Sequence, residues 1–391
     1  MTKWLQDLFQ RLLDSVLQPI GDWLLKTSWL FRAAAVVVLG LALSGLLRPD
    51  VCISIYKRTW CFARVAIADR GKIPIQDSIA GKLRIIRNEL SLAAHNDLAH
   101  LQSPDGATPW SASQTVIGLG TAEPADIAAV RAFLAQTMEA RCHCWREIPE
   151  SVSDAPCVFI SGWALAALAQ MSQPADTAQV AFLLEEQNPS EGWWSTFPVP
   201  NSSQYASTYS TSWALIGLGA LKSKNLLAHE QAESVSKATT SAARWLSSSR
   251  ENGARWKPYP KISGGAPSLS ISGVALHALH VTNPEVMQSL DQEWLTDLSS
   301  VSVSANDAEN SYLEIRGKYG VGFDHFVQIQ MPWLLVGTVD AFPNGTIFQR
   351  TNALYWLENT LDQQSVLDAG KQQGWWRSEL LYSLRYLLEH T

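Results

Sequence analysis

The stretch Glu185–Trp194 reads EEQNPSEGWW, and Ser210–Leu221 reads STSWALIGLGAL. A polar loop carrying glutamine, glycine and tryptophan leads into a short helix that is apolar almost all round, a pattern that implies burial on every side. The same order recurs as HLQSPDGATPW (Gln102, Gly106, Trp110), SRENGARW (Arg250, Gly253, Trp256) and KQQGWW (Gln372, Gly374, Trp376), beside the copy with Gln187, Gly192 and Trp194. Each loop is followed by an apolar helix opened by Ser or Thr, the favoured N-caps: SASQTVIGLG, STSWALIGLGAL, SLSISGVALHALH and SELLYSLRYLLEH. A fifth such helix, ISGWALAALAQM, follows CHCWREI, and a sixth, HFVQIQMPWLLVGTVDAF, follows GKYGVGF.

Between these apolar helices lie longer amphipathic ones, among them KLRIIRNELSLAAHNDLAHL, DIAAVRAFLAQTM, DTAQVAFLLEEQ, AESVSKATTSAARWLSSS and NALYWLENTLDQQ. Pro124, Pro174 and Pro284 stand where a first helical turn accepts proline. No stretch reads as alternating strands. Six amphipathic helices outside six buried ones describe an all-α chain, an (α/α)6 toroid of helical hairpins over residues 76–391. A seventh hairpin or an open arc fits the same pattern.

With these residues in hand, the chain resembles the repeat domains of squalene and terpenoid cyclases and, more distantly, the β subunits of protein prenyltransferases. In those families an aromatic-Leu pair precedes Gln, Gly and Trp, as Phe182-Leu183 does here; Trp245-Leu246 precedes a copy with Arg250 in place of glutamine. The resemblance implies that these loops are structural fastenings. Local chemistry agrees: glycine accepts turn conformations closed to other residues, and a glutamine amide can satisfy orphan groups at a helix end.

The resemblance also implies a DxDD-type run if the chain protonates an alkene or epoxide, and none is present. The corresponding starts read SVSDAPCVFISGWAL, YASTYSTSWAL and GAPSLSISGVAL, and Asp154 reads as an N-cap or loop residue. Nor is the Asp, Cys and His zinc set of the prenyltransferases reproduced in order. His277 and His280 share a helical face, a spacing used both by metals and by core histidines. We assign no metal and no cofactor. Asp324 beside His325, in GFDHFV, is the acid and histidine pair expected at the start of the sixth apolar helix, and is the candidate catalytic pair. Trp163, Tyr209, Trp213, His277, Trp333 and Tyr382 are expected either to line a central cavity or to fill it.

Residues 1–27 read as an amphipathic helix, and 28–47, SWLFRAAAVVVLGLALSGLL, as a single transmembrane helix of about the length a bilayer requires. A hydrophobic helix docked on the soluble domain is the alternative. Residues 48–75 read as a linker. Arg48, Lys57, Arg58 and Arg64 after the span outnumber Lys26 and Arg32 before it, which places the large domain in the cytoplasm. Five cysteines without CxxC spacing are expected to be reduced thiols. The triplets Asn201-Ser202-Ser203 and Asn344-Gly345-Thr346 have glycosylation spacing and point to the opposite side. A net charge of -6 with scattered basic residues excludes nucleic acid as the main partner. The expected partners are the membrane, an isoprenoid or lipid ligand, or another protein. The functional expectations are a non-catalytic binder of such a partner, a divergent isoprenoid-modifying enzyme, or a scaffold within a membrane complex.

Overall fold

The computed structural model describes residues 49–101, 107–120, 123–146, 157–198, 203–262, 266–282, 287–298, 301, 308–317, 320–362 and 374–391. The amphipathic helix expected at 1–27, the span expected at 28–47, and Gln102, Gly106, Asp154 and Gln372 lie outside the described residues. Among the described residues no helix is long and apolar enough to cross a membrane. The chain divides into two compact units, Met1–Ala63 and Arg64–Thr391. The division falls within the first helix, α1 (Pro49–Ile67), which occupies most of the stretch expected to be a linker.

The larger unit is mostly helical. Its helices are α2 (Asp77–Ala99), α3 (Pro109–Leu119), α4 (Pro124–Thr137), α5 (Val158–Gln170), α6 (Thr177–Glu186), α7 (Thr208–Ser223), α8 (His229–Ser249), α9 (Leu269–Thr282), α10 (Gln288–Leu298), α11 (Gln330–Ala341), α12 (Ile347–Leu361) and α13 (Gly374–Glu389). The odd-numbered members from α3 onward form the core. Every residue of α11 after Gln330 is buried, as are all of α5 but its last and nearly all of α7. The even-numbered helices flank them with one buried face each; α8, for instance, buries Val235, Ala238, Ala242, Trp245 and Leu246.

Among the core helices, α3 packs on α5, α5 on α7, α7 on α9, α9 on α11, α11 on α13 and α13 on α3. Three of these six contacts are made nearly backbone to backbone. A Cβ added at Gly162 of α5 would sit 2.5 Å from the Trp213 carbonyl of α7, and one at Gly217 would sit 2.5 Å from the Gly162 carbonyl. The same intimacy joins Gly273 of α9 to Trp333 of α11, and Gly118 of α3 to Ser378 of α13.

The loops between hairpins repeat one set of bonds. Trp194 Nε1 donates to the Leu183 carbonyl at 2.7 Å and its backbone N–H to Thr211 Oγ1 at 2.9 Å. Trp256 does the same with Leu246 and Ser272, and Trp145 with Leu134 and Ser161. Gln187, at the end of α6, donates to the carbonyls of Gly192 and of Ala238 on α8, and Arg250 reaches Gly253 and Glu293 on α10 in the same position. Gly192 (φ +88°) and Gly253 (φ +76°) hold the left-handed turns that bring these loops round. The Trp145 copy was not identified from sequence, because its polar position holds Met138. There the neighbouring helix supplies the amide, with Gln179 Nε2 3.2 Å from Met138 Sδ. Trp110 departs from the pattern: it lies in the first turn of α3, edge-on to Phe159.

Two expectations are corrected. The sixth apolar helix was placed from His325, but α11 begins at Gln330. Residues ahead of it form an antiparallel hairpin, β3 (Ala308–Gly317) with β4 (Gly320–Ile329). Val321, Phe323, Val327 and Ile329 do recur at even spacing, the strand period, and glycines close the turn at the Gly317–Gly320 pair. Two-residue strands earlier in the chain, β1 (Trp194–Ser195) and β2 (Ala206–Ser207), also pair beside α7. Second, Cys142 and Cys144 are joined by a disulfide, whereas Cys61 and Cys157 are buried in the core. His143 between the pair has φ +53°, a turn that brings the two Cα atoms to 5.2 Å, within bonding range.

The glycine contacts give a direct test. Gly162→Ala forces the α5 and α7 backbones apart and is expected to destabilise the protein by about 1–3 kcal/mol. Gly81→Ala on α2, where a Cβ meets nothing within 4 Å, is expected to stabilise it by up to about 1 kcal/mol. Denaturant melts of the two variants should move in opposite directions.

Candidate functional site

All six residues expected around a central cavity gather in one aromatic cluster. Trp163 of α5 and Trp213 of α7 stack with an interplanar angle of 22°, and Trp333 of α11 meets both edge-on. Tyr209 packs against Trp213, and its hydroxyl accepts from Trp163 Nε1 at 3.3 Å. His277 of α9 and Tyr382 of α13 pack against Trp333 from the other side. Their placement follows from sequence: Trp163 is the residue after Gly162, and Trp213 supplies the carbonyl that Gly162 admits, so the close helix approach brings both indoles together.

Beyond this plug, towards the carboxyl ends of the core helices, a cleft of about 210 Å³ remains. Ile117, Ala166, Ile216 and Val281 supply apolar walls, and Gln170, Trp213, Ser223, His277 and Tyr382 supply polar groups. Trp163, Tyr209 and Trp333 do not line it.

A relay of hydrogen bonds leads inward from the cleft. His277 Nδ1 lies 2.8 Å from Asp340 Oδ2, and His277 Nε2 lies 2.8 Å from the Tyr382 hydroxyl. A carboxylate only accepts, so Nδ1 carries the proton; in the neutral imidazole Nε2 then accepts from Tyr382. The Tyr386 hydroxyl donates to the other oxygen of Asp340 at 2.7 Å. Burial works to raise the Asp340 pKa, but His277, the charge of His280 and the Tyr386 bond outweigh it and hold the carboxyl below its ordinary value. Burial, reinforced by the Asp340 charge, pushes the Tyr382 and Tyr386 hydroxyls well above the usual phenol range. The cluster is thus an ionised carboxylate satisfied by neighbours, with neutral phenols at its edge.

His280, one helical turn from His277, does not share its partner. His280 Nε2 lies 2.7 Å from Asp291 Oδ1 on α10, and Asn344 Nδ2 donates to Asp291 Oδ2 at 2.6 Å. Each histidine therefore has its own carboxylate. Among the described residues no three of His, Cys, Asp and Glu gather as a metal site would require. The Asn344 amide and the Thr346 hydroxyl, which caps α12, also give the second glycosylation-type triplet a structural role.

Asp324 and His325 lie on β4, where they pair with Leu313 and Tyr312. They are not at a helix start, because α11 opens six residues after Asp324. Sequence reasoning did not select Asp340, Tyr386 or Asp291. Signals for them existed: Asp340 is a lone acid in the apolar run WLLVGTVDAF, and Tyr386 follows Tyr382 by four residues, on the same face. No known family model matches the chain, and no curated protein matches it at significant similarity.

The electrostatics carry a pH signature. Burial lowers the His280 pKa, but the Asp291 hydrogen bond and the charges of Asp340 and Asp291 overcome it, leaving the pKa above the ordinary histidine value. A raised folded pKa adds stability that is complete below the unfolded value of about 6.5 and is lost as pH climbs through the folded value. Wild-type melting temperature is therefore expected to fall as pH rises from about 6 towards 9. His280→Gln should flatten that slope, read by thermal unfolding across the series.

Proposed function

We propose that residues 76–391 form an (α/α)6 toroid of the terpenoid-cyclase type, fixed to a membrane by residues 28–47, which binds the end of an isoprenoid or lipid molecule without cyclising it. The cyclic succession of core helices from α3 to α13 and back to α3 supports the toroid, as do the repeated indole fastenings at Trp145, Trp194 and Trp256. Membrane attachment rests on the apolar run of 28–47, and a cytoplasmic orientation on Arg48, Lys57, Arg58 and Arg64. The Cys142–Cys144 disulfide removes the thiol argument for that orientation.

One observation carries the functional reading: Trp163, Trp213 and Trp333 occupy the middle of the core-helix cluster, leaving the 210 Å³ cleft at one end. Pockets that enclose whole drug-sized ligands run from about 300 Å³ upward. The cleft matches the end of an apolar chain whose remainder lies outside. The starts of α5, α7 and α9, at Cys157, Ser207 and Leu269, carry none of the carboxylates a protonating cyclase needs. An enzyme using Asp324 as its acid draws no support from the placement of that residue on β4. A protein partner is the second reading, and it has its own observation: Ile85 and Leu92, seven residues apart on α2, are 62% and 66% exposed.

The full chain, purified in lipid nanodiscs and extracted with organic solvent, is expected to carry an apolar lipid enriched over the disc composition by mass spectrometry. Ala220→Trp, which fills the cleft from its half-buried rim, should abolish the enrichment without lowering the melting temperature. Identical lipid profiles for disc, wild type and variant would refute ligand binding.

A further inference from the structure

Resting on the reading of the cleft as a ligand site, the geometry points to a neutral hydroxyl as the ligand's polar end: an isoprenoid or fatty alcohol in preference to a carboxylate, phosphate or diphosphate. The first reason is an unmet hydrogen bond. Trp213 lines the cleft and is 2% exposed, yet among the described residues its indole N–H meets no acceptor. A buried donor left without a partner is costly, and it calls for an acceptor atom in the cleft.

The second reason is the state of Tyr382. Its proton is committed to His277 Nε2 while His277 Nδ1–H serves Asp340, so the Tyr382 oxygen offers the cleft lone pairs and calls for a donor. If the imidazole takes a second proton, the relay reverses and Tyr382 offers its own proton instead. A hydroxyl meets either condition, since it donates and accepts; a carbonyl or ether can only accept. While it donates to Tyr382, its lone pairs can also serve the Trp213 N–H.

The third reason is charge. The cleft lies at the carboxyl ends of α3, α5, α7 and α9, where the helix dipoles leave partial negative charge. Behind it sits the Asp340 carboxylate. The cation beside Tyr382, Arg385, is already engaged by Glu389 and by the Ile117 and Gly118 carbonyls. Lys222, near the end of α7, is turned to Ser236 on α8. An anionic head would meet these helix ends and the Asp340 carboxylate, while Arg385, Lys222 and His280 are each turned to other partners.

The test uses the full chain in nanodiscs and photoreactive alkyl probes of one chain length, each with a diazirine near its end. They carry a hydroxyl, a carboxylate, a phosphate or no head group, and the cross-linked peptides are mapped by mass spectrometry. The hydroxyl probe is expected to label α7 and α9 about ten-fold more than the others, the value of one net hydrogen bond. Tyr382→Phe and Trp213→Phe should each bring the ratio of hydroxyl to headless labelling, measured within the same variant, towards one. Equal labelling by all four probes overturns the head-group assignment and leaves apolar binding standing, as does stronger labelling by carboxylate or phosphate. Hydroxyl preference that survives both variants also overturns it. Absence of labelling by every probe at α7 and α9 overturns the ligand site itself.

Discussion

The contact on which the rest depends is the meeting of α5 and α7 at Gly162 and Gly217, where each glycine admits the other helix's backbone. Removing two Cβ atoms lets the helices approach until carbonyls and Cα atoms touch, a distance that ordinary side chains forbid. Equivalent approaches at Gly273 with Trp333, and at Gly118 with Ser378, make the core three tight pairs. The contacts between pairs are then left to larger side chains. Trp163 and Trp213 belong to one such pair, which is why they stack, and Trp333 from the second pair closes over them. A core made of six equally spaced helices would leave a central space. Pairing collapses it at the level of the indoles and leaves room beyond them, where the cleft lies.

The loop fastenings solve a different problem. A flanking helix that buries only one face can slide along its core partner unless its end is pinned. The indole N–H of Trp145, Trp194 or Trp256 pins the last turn of α4, α6 or α8 through the carbonyl of Leu134, Leu183 or Leu246. The backbone N–H of the same tryptophan holds the next core helix through Ser161, Thr211 or Ser272. In two of the copies a polar residue reaches the following flanking helix, through Gln187 to α8 and Arg250 to α10, and in the third Gln179 reaches back from α6 to Met138. One residue pair thus locks three helices, and repeating it along the chain gives the hairpins a common register.

This logic explains what could be read from sequence. Amphipathic and wholly apolar helices alternate because one set is half-buried and the other fully buried, and that contrast survives in any single chain. Gly192 and Gly253 were legible for the same reason, since left-handed turns leave few alternatives. The Trp145 copy was hidden because a tethering bond can be supplied from either side, here by Gln179 to Met138. The β3–β4 hairpin was hidden because its alternating residues run straight into an apolar helix, and a helical period imposed on that helix extends plausibly backward over His325. The cluster of aromatic and histidine residues was legible, but its acid was not. Asp340 acquires its role only when α11 lies against α9 and α13, a pairing that joins residues 63 apart in sequence.

Asp340 also shows why the polar groups sit where they do. A carboxylate buried in an apolar bundle is tolerable only if donors meet both oxygens, and His277 and Tyr386 do so from two different neighbouring helices. Those donors come from the carboxyl-terminal halves of α9 and α13. The imidazole, once fixed by Asp340, dictates the orientation of the Tyr382 proton, and through it the hydrogen-bonding sense of the cleft wall. Placing the acid one residue from the end of α11 therefore sets both the position of the polar cluster and the polarity it presents.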